Sequence, residues 1–427
     1  MKKVYVSMAA AMAAAVSYGA GFGLYEMSAR GNSMGGAFVG KAADASANYY
    51  NPATLTSLTG TWFTASVSFM NPRAQTKVNG RHGQKMNPGW FALPALYASQ
   101  ELGGGFFLGV GAYADFGLGT KYKRNWPLSF DTTETTIEGY TVNPNLAYKV
   151  NDDLSISAGF RMNYISFDQR KTIPAGNAQL PQLGRLGTVN AHIRGEDHFS
   201  PGYNFGIQYN ILTNLSVGAT YRSRIKTRIK GRTRTNYSSV DSLYGRMARE
   251  TIRQSARAAE GVTAANLRLP QSVTFGVNWD PWQNIHLGAD LTWTEWSCLP
   301  VAWFETPQGA NPVWLKWHDT LRAGVGFGVD FFEDWSWMIS YAYDFDPSHK
   351  NEGSTMLPPG DRHIFATGLG YRTGSWDFAV GYSVIYQVSE ARDIKSGSRA
   401  YPYGQTYHFD TGKSFAHCGT VTVTYHF

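Results

Sequence analysis

Basic residues recur at every second position over one short stretch of the chain. They are Arg222, Arg224, Lys226, Arg228, Lys230, Arg232 and Arg234. Because alternate side chains of an extended strand lie on the same face, this spacing gathers the cations into one row. A row of cations concentrates anions at its surface. It is suited either to steering an anionic ligand toward an interior site or to binding the phosphates of a lipid surface.

Two further cations, Arg161 and Lys316, are candidates for binding a carboxylate, since a buried acidic head group needs a cationic partner. A structural ion pair is an equal alternative for each of them. His286 and Asp290 share one strand face, but no Ser or Cys nucleophile in a recognisable motif accompanies them. The two cysteines of the chain fit no metal spacing. We therefore predict that the protein is not an enzyme and has no metal or cofactor.

The elements that carry these residues are predicted β-strands. The clearest is 285–294, in which Ile285, Leu287, Ala289, Leu291 and Trp293 alternate with polar or small residues. Segments 203–210 and 321–330 repeat the pattern, which is typical of a strand with one face in lipid and the other in a polar lumen. The composition agrees, since 15% of the residues are aromatic and only 16% are charged. An average soluble domain has roughly 25% charged residues.

Short and long connections alternate between these strands. Short turns are expected near 102–104, 151–153, 212–214, 281–283, 332–334 and 373–375. Long polar segments lie near 71–89, 117–136, 171–198, 229–269, 297–315, 346–360 and 388–416. These thirteen connections separate fourteen strands, and an even count with short periplasmic turns and long outer loops is typical of outer-membrane barrels.

The N-terminus predicts export from the cytoplasm. Lys2 and Lys3 precede an apolar run over 4–16, and the small residues Ser17 and Gly19 follow it. Residues 1–19 therefore resemble a secretory signal peptide. No later stretch reaches the roughly 18 apolar residues that a transmembrane helix needs. An exported chain without such helices can still cross a membrane as a closed barrel, which leaves no unpaired backbone edge in lipid.

We therefore predict an all-β protein that forms a transmembrane, 14-stranded antiparallel β-barrel over residues 58–427 in the bacterial outer membrane. A soluble propeller is disfavoured because the chain has no blade-length repeat. A soluble sandwich is disfavoured because its outward apolar faces would aggregate. Continued strand register places the basic row on the lumen side. The last strand ends at Phe427, which resembles the C-terminal signal that the barrel assembly machinery reads.

A barrel of fourteen strands is too wide for its own side chains to fill, so something must close it. Residues 20–57 are rich in Gly and Ala and lack the alternation of the strands. We expect them to form a hatch, a small N-terminal plug with short helices inside the barrel. Within it, Asn51 and Pro52 predict a helix N-cap followed by proline at the first helical position.

Several motifs resemble the long-chain fatty acid transporter (FadL/TodX-like) family of the outer membrane. They are GFGLYE at 21–26, GGAF at 35–38, NPA at 51–53, YRS at 221–223, LRLP at 267–270, WTEWS at 293–297, HDTLR at 318–322 and DRH at 361–363. Each motif alone is short, but their order and spacing resemble the family over essentially the whole mature chain.

The resemblance implies a route for a hydrophobic substrate. Substrate would bind between two large outer loops, here 171–198 and 229–269, and then reach a pocket above the hatch. It would leave sideways through a gap made by a kink in the third strand, here 106–116. The alternation of that strand weakens near Tyr113, Asp115 and Gly117, which are the expected lateral opening, although the strand end alone would also explain this. Asn51, Pro52 and Ala53 are the expected gating residues of the hatch.

Strand register also assigns lumen-facing residues. Leu96, Met338 and Ile385 are expected on inward faces, and with Arg161 and Lys316 they form the predicted substrate-binding set. Packing against the hatch is an equal alternative for the apolar members.

The predicted function is uptake of long-chain fatty acids or similar hydrophobic molecules. The alternatives are an aromatic hydrocarbon channel of the same family, a general porin that would conduct ions steadily, and an outer-membrane lipase. The expected partners are the substrate, outer-membrane lipid with lipopolysaccharide, and the assembly machinery acting on Phe427. Nucleic acid is not an expected partner, and we expect a monomer.

Overall fold

The structure is a computed structural model. It describes residues 21–86, 89–176, 185–299, 301–306, 309–314, 316–348, 355–356, 359–395 and 406–427. The predicted signal peptide, 1–19, lies outside the described residues.

Fourteen antiparallel strands of the described chain form the barrel, as the sequence predicted. Numbered among all strands in chain order, they are β1 (Thr61–Val78), β3 (Phe91–Gly103), β4 (Phe106–Lys121), β5 (Glu134–Lys149), β6 (Leu154–Gly176), β7 (Arg185–Leu212), β8 (Leu215–Arg222), β11 (Ser272–Trp282), β12 (Ile285–Thr294), β15 (Thr320–Phe331), β16 (Trp335–Asp344), β17 (Arg362–Thr373), β18 (Trp376–Gln387) and β21 (Ser414–His426). Each strand pairs with the next, and β1 closes the barrel by pairing with β21 from Trp62–His426 to Ala74–Ser414.

The long connections carry their own secondary structure. They contain β2 (Arg81–Met86), β9 (Ile225–Ser239), β10 (Gly261–Leu269), β13 (Val301–Thr306), β14 (Gly309–Trp314), β19 (Ala391–Lys395) and β20 (Thr406–Asp410). The same connections hold α3 (Leu243–Ala259) and a 3-10 turn, Trp296–Cys298. The described residues of the predicted loops 171–198 and 229–269 are therefore largely regular, while 177–184 lie outside the described residues. β6 and β7 stay paired as far as Gly176–Arg185, and β9, α3 and β10 follow one another. Among the described residues, none of the helices is both long and apolar enough to span a membrane.

The hatch lies inside the barrel and is almost entirely buried. Its helices are α1 (Ala29–Ser33), α2 (Ala47–Tyr50) and a 3-10 helix, Pro52–Ser57. α1 contacts β16, β17, β18 and β21 on one side of the lumen, and the 3-10 helix contacts β4 to β7 on the other. The hatch therefore bridges opposite walls.

The predicted facing of Leu96 is wrong. Leu96 is 60% exposed on the outer surface of β3, whereas its neighbours Ala95 and Tyr97 are buried against the lumen. Because β3 is apolar on both faces, hydrophobicity alone did not distinguish them. The hatch decides the register, since the Tyr97 hydroxyl donates to the carbonyl oxygen of Met27 at 3.4 Å.

The predicted facing of the basic row is also wrong beyond its first member. Inward residues of β8 are even-numbered, as Ser216 and Thr220 show by their burial, but β9 buries the odd-numbered Ile225 and Ile229. The two residues between the strands exchange the faces. Arg222 therefore points inward, and the cations of β9 face outward.

We expect the aromatic ring of Phe427 to matter for assembly and little for the closed barrel. The backbone of Phe427 exchanges two hydrogen bonds with Thr61, of 3.0 and 3.1 Å, while its side chain is 68% exposed. Phe427→Ala keeps the backbone bonds, so it should reduce the amount of heat-modifiable, folded protein in the outer membrane without lowering the thermal stability of the protein that inserts. Phe332→Ala is the matched control, because Phe332 is an exposed turn aromatic at the same barrel end. Equal folded amounts for Phe427→Ala, Phe332→Ala and wild type would contradict the prediction.

Candidate functional site

The Asn51 side chain joins two parts of the hatch to the barrel wall. Its Oδ1 accepts from the Ala53 amide at 3.1 Å, and Pro52 occupies the first helical position, so the predicted cap is present. Its Nδ2 donates to the carbonyl oxygens of Val39 at 2.7 Å and Ile207 at 3.0 Å. Asn51 is fully buried, and one amide group thus satisfies a helix end, a second hatch segment and strand β7.

Inward arginines of the barrel also bind the hatch. Arg222 donates to the backbone carbonyl oxygen of Tyr49, and its guanidinium lies 4.1 Å above the centre of the Tyr49 ring. Arg322 donates to the carbonyl oxygen of Gly35 at 3.1 Å and lies 4.5 Å above the Tyr25 ring. These contacts fix the hatch through its backbone.

The reverse arrangement occurs at Arg30 of the hatch, which forms a buried ion pair of 2.8 Å with Asp377 of β18. Asp377 also binds Arg372 at 2.8 Å. The hatch is therefore tied to the wall by charge at its periplasmic end as well.

The ladder between β3 and β4 ends before either strand does. Pairing runs from Gly103–Phe106 to Ala95–Tyr113 and stops there, although β3 starts at Phe91 and β4 continues to Lys121. On its other side β4 pairs with β5 throughout, with a register shift between Tyr113 and Phe116. The outer part of β4 therefore has one edge that β3 does not cover.

The first residues of the hatch cover part of this edge. The Leu24 amide donates to the Asp115 carbonyl at 3.0 Å, and the Gly117 amide donates to the Phe22 carbonyl at 2.9 Å. Gly23 and Phe116 lie opposite each other in a short antiparallel bridge. The segment 22–24 therefore takes the place of β3 over three residues.

Asp115 and Arg161 form a buried ion pair beside the break. Asp115 Oδ2 lies 2.6 Å from a terminal nitrogen of Arg161, and the Thr141 hydroxyl donates to the same carboxylate at 2.9 Å. The side chains of Asp115 and Arg161 are only 6% and 3% exposed. Arg161, expected as a partner for a substrate carboxylate, thus has a carboxylate of the barrel as its partner.

An apolar cluster lies next to the break on the outer side of the hatch. Phe22 is central to it, with ring centroids 5.6 Å from Phe116, 5.1 Å from Trp296 and 6.4 Å from Trp317. The remaining buried members are Leu118, Ile137, Ile165, Phe167, Ile193, Ile225, Ile229, Ala265, Leu269, Cys298, Leu299 and Met356. Gly21 has a φ of +66°, and a Cβ there would lie 2.0 Å from the Trp296 ring, so this approach requires glycine. The hatch, strand β4 and the outer loops therefore meet in this cluster.

A cavity of about 110 Å³ lies beside segment 21–26 and reaches β4 at Gly117–Thr120. One part of its lining is charged, with Glu26, Arg73, Asp344 and Arg362, and another part is apolar. The apolar lining includes Met70, Leu118, Ile364, Ile385 and Ala416. The cavity therefore combines charged groups with hydrocarbon at the point where the barrel ladder is broken.

The structure separates the predicted substrate-binding residues. Ile385 lines this cavity, whereas Met338 lines a chamber of about 660 Å³ at the end with the short turns, below the hatch. Lys316 is exposed in the outer loops, next to the buried Trp317. With Leu96 on the lipid face, the five residues do not form one site.

Sequence reasoning missed Phe22, Trp296 and Arg362 as site residues. Phe22 and Trp296 stand inside motifs that carried the family resemblance, so a signal for them existed. Arg362 lies on the same face of β17 as the buried Ile364 and Ala366, so the strand pattern was also a usable signal.

A closed, plugged barrel with an internal apolar site defines an outer-membrane transport protein. A family model described as "Outer membrane protein transport protein (OMPP1/FadL/TodX)" matches residues 10–427. The chain belongs to this family, whose members transport hydrophobic compounds across the outer membrane and are not enzymes.

The relatives cover nearly the whole chain at low identity. The long-chain fatty acid transport protein of Escherichia coli K12 is 24% identical, and the match covers 97% of this chain and 98% of that protein. Outer membrane protein P1 of Haemophilus influenzae is 22% identical over 90% of each chain.

Solved structures agree on the fold. A Pseudomonas aeruginosa FadL homologue superposes with a TM-score of 0.81 at 19% identity, covering 95% of this chain and 100% of that one. The toluene transporter TodX of Pseudomonas putida gives a TM-score of 0.69 at 15% identity, covering 96% and 99%.

We expect Asn51→Ala to loosen the hatch while the barrel stays folded. The change removes a helix cap worth about 1 kcal/mol and two further hydrogen bonds of roughly 1 kcal/mol each. Ion conductance in planar bilayers should rise, with expression and heat modifiability unchanged. Ser57→Ala is the control on the same helix, because the Ser57 hydroxyl donates to the nearby Thr54 carbonyl within that helix. Conductance equal to wild type in both variants would argue against an anchoring role for Asn51.

We expect Asp115→Asn to loosen the outer part of β4. The asparagine at 115 would have nearly the same shape as the aspartate, but Arg161 would lose a charge-assisted hydrogen bond worth roughly 1.5–3 kcal/mol. Amides of 113–118 should exchange hydrogen faster than in wild type, while those of 106–111 are unchanged. The control is Asp168→Asn, which removes the partner of His192 in a half-exposed pair. Unaltered exchange at 113–118 would contradict the assignment of this ion pair as a support of the break.

Proposed function

We propose that this transporter takes up long-chain fatty acids or similar amphiphiles. In this proposal the substrate binds first at the outer loops 171–198 and 229–269, moves to the cavity above the hatch, and leaves sideways between β3 and β4. The observation that carries the proposal is the early end of the β3–β4 ladder, because the edge of β4 that β3 leaves uncovered borders the cavity.

The lining of the cavity favours an amphiphile over a plain hydrocarbon. Arg362 lies among the charged lining residues and donates to the Gly21 carbonyl at 3.4 Å. A carboxylate head group arriving there would pair with Arg362 in competition with the carboxylates of Glu26 and Asp344, while its chain would meet Met70, Ile385 and the Phe22 cluster. An aromatic hydrocarbon would leave the charged groups without any new partner. The name of the Escherichia coli relative points the same way.

Sideways release suits such a substrate energetically. Burying each CH₂ group is worth about 0.8 kcal/mol, so a chain of about sixteen carbons would cost on the order of 13 kcal/mol to release into water. Release into the bilayer core avoids most of this cost. A wall opening is therefore the low-barrier exit, with Tyr113, Asp115 and Gly117 at its edge.

Two groups would have to move for the wall to open. The ring of Phe91 lies against Gly119, where a Cβ would be 1.9 Å from it, so Phe91 covers β4 beyond the last ladder pair. Segment 22–24 occupies the neighbouring edge through its two backbone bonds. Because the same segment lines the cavity, substrate binding and wall opening would be coupled through it.

We expect a covalent link across the break to stop uptake. In a background with Cys298 and Cys418 replaced, one cysteine is placed in 91–94 and one in 114–117, and the two are joined as a disulfide or by a short bis-thiol reagent. Uptake of a labelled long-chain fatty acid by a strain lacking its own transporter should fall to background, and reduction of the disulfide form should restore it.

The control is Ala98→Cys with Val110→Cys, which face each other in the intact part of the same ladder. That link should leave uptake unchanged. Normal uptake with the break linked would exclude the lateral route and leave passage through the hatch. Uptake of toluene but not of fatty acid by the wild type would favour the aromatic hydrocarbon channel, and steady ion conductance would favour a porin.

A further inference from the structure

The outer sheet above the membrane carries a row of exposed cations. On β9, Ile225 and Ile229 are buried in the Phe22 cluster, so the opposite face points away from the barrel axis. That face consists of Lys226, Arg228, Lys230, Arg232 and Arg234, all exposed. At about 3.3 Å per residue the row extends over roughly 27 Å.

Neighbouring strands add cations to the row and few acids. Arg194 of β7 stands directly opposite Arg232, and Arg268 of β10 stands opposite Lys226, both exposed. Like charges directly opposite each other destabilise a sheet. The sheet therefore carries an excess of positive charge that an external anion would relieve.

Four acidic residues lie near the row, which is too few to neutralise it. Asp197 accepts from the backbone amide of Arg228 at 2.6 Å, Glu260 accepts from the amide of Thr235 at 3.0 Å, and the other two are Glu305 and Glu196. Glu305 pairs with Arg228 at 3.3 Å, and Glu196, opposite Lys230, accepts from the Tyr164 hydroxyl at 2.9 Å. Within the described chain, no acidic partner contacts the other cations of the row. Among the described residues, Arg228 is thus the one member of this row on β9 with an ion-paired carboxylate.

The row begins just beyond the membrane interface. Tyr221 of β8 and Tyr203 of β7 lie together at the outer end of the β7–β8 ladder, with ring centroids 6.0 Å apart, where an aromatic girdle is expected. Lys226 follows Tyr221 by five residues, about 17 Å along the strand. The cations therefore face outward at and above the depth of the lipid head groups.

A lipid-facing depression of about 650 Å³ lies on the wall below the row. It forms where the outward residues are small, as at Ala219, Ala289 and Ala323, between the larger Phe275 and Leu291. Ala219 precedes Tyr221 by two residues, about 7 Å along β8. Its lining is apolar, so it is suited to hydrocarbon.

We propose that this wall binds lipopolysaccharide, with phosphates on the cation row and an acyl chain in the depression. One amphiphile can occupy both sites, because the cations of β9 and the apolar depression beside β8 follow one another in the same order as a phosphorylated head group and its acyl chain. The site lies on the outside of the barrel, on the outward face of loops that the proposed transport route also uses.

The test measures binding of lipopolysaccharide to the purified full-length protein in nanodiscs at physiological salt. Lys226→Gln, Lys230→Gln and Arg232→Gln are combined in one variant. A cation near an anionic lipid surface is worth about 1 kcal/mol, so the triple variant should bind about 100-fold more weakly. The matched control combines Lys77→Gln, Arg81→Gln and Lys85→Gln, three exposed cations of the β1–β2 hairpin, and should change binding less than about twofold.

Two further comparisons separate phosphate from chain contacts. Dephosphorylated lipopolysaccharide should bind weakly to the wild type and no more weakly to the triple variant. Ala219→Trp should weaken binding of both ligands, whereas Ala158→Trp, on the lipid face of β6 outside the depression, should not.

Three results would overturn the proposal. The first is equal weakening by the triple variant and its control. The second is that removing the phosphates from lipopolysaccharide weakens its binding to the triple variant as much as its binding to wild type. The third is a fall in uptake of an anionic substrate with lipopolysaccharide binding unchanged, which would assign the row to substrate steering.

Discussion

Every backbone group of a membrane-spanning strand must find a partner inside the protein, because lipid offers none. Fourteen strands meet this requirement by closing on themselves, with β1 against β21. The outer ends of β3 and β4 depart from it, since their ladder stops at Ala95–Tyr113. The hatch segment 22–24 supplies part of the missing bonds from inside. Closure of the wall therefore depends on a segment that is not part of the wall.

The same dependence explains how the hatch is held. Its backbone carbonyls accept hydrogen bonds from Arg222 and Arg322, its Asn51 donates to the Ile207 carbonyl of the wall, and its helix α1 is joined to Asp377 through Arg30. Buried polar groups without partners are costly, so each of these links fixes both wall and hatch. A plug held at several points can stay in place while its first residues, which line the cavity, exchange one set of contacts for another.

Strand period, turn positions and composition were sufficient to predict the fourteen-stranded barrel and its layout. The Asn51–Pro52 pair was sufficient to predict a capped helix, because cap geometry depends on neighbouring residues alone. Leu96 was placed on the wrong face because β3 is apolar on both sides. The basic row was misplaced because two residues after Arg222 reverse the faces, and no local pattern marks such a reversal.

The sequence by itself thus determined the class of fold, the strand count and the chemistry of the family motifs, all of which follow from local periodicity and composition. The tertiary structure alone decided which cation meets which partner. Arg161 of β6 forms an ion pair with Asp115 of β4, Arg222 stacks on the Tyr49 ring of the hatch, and Lys226 faces outward. Such pairings are set by register between strands and by contact between segments far apart in the chain, and a one-residue shift reverses every side chain of a strand.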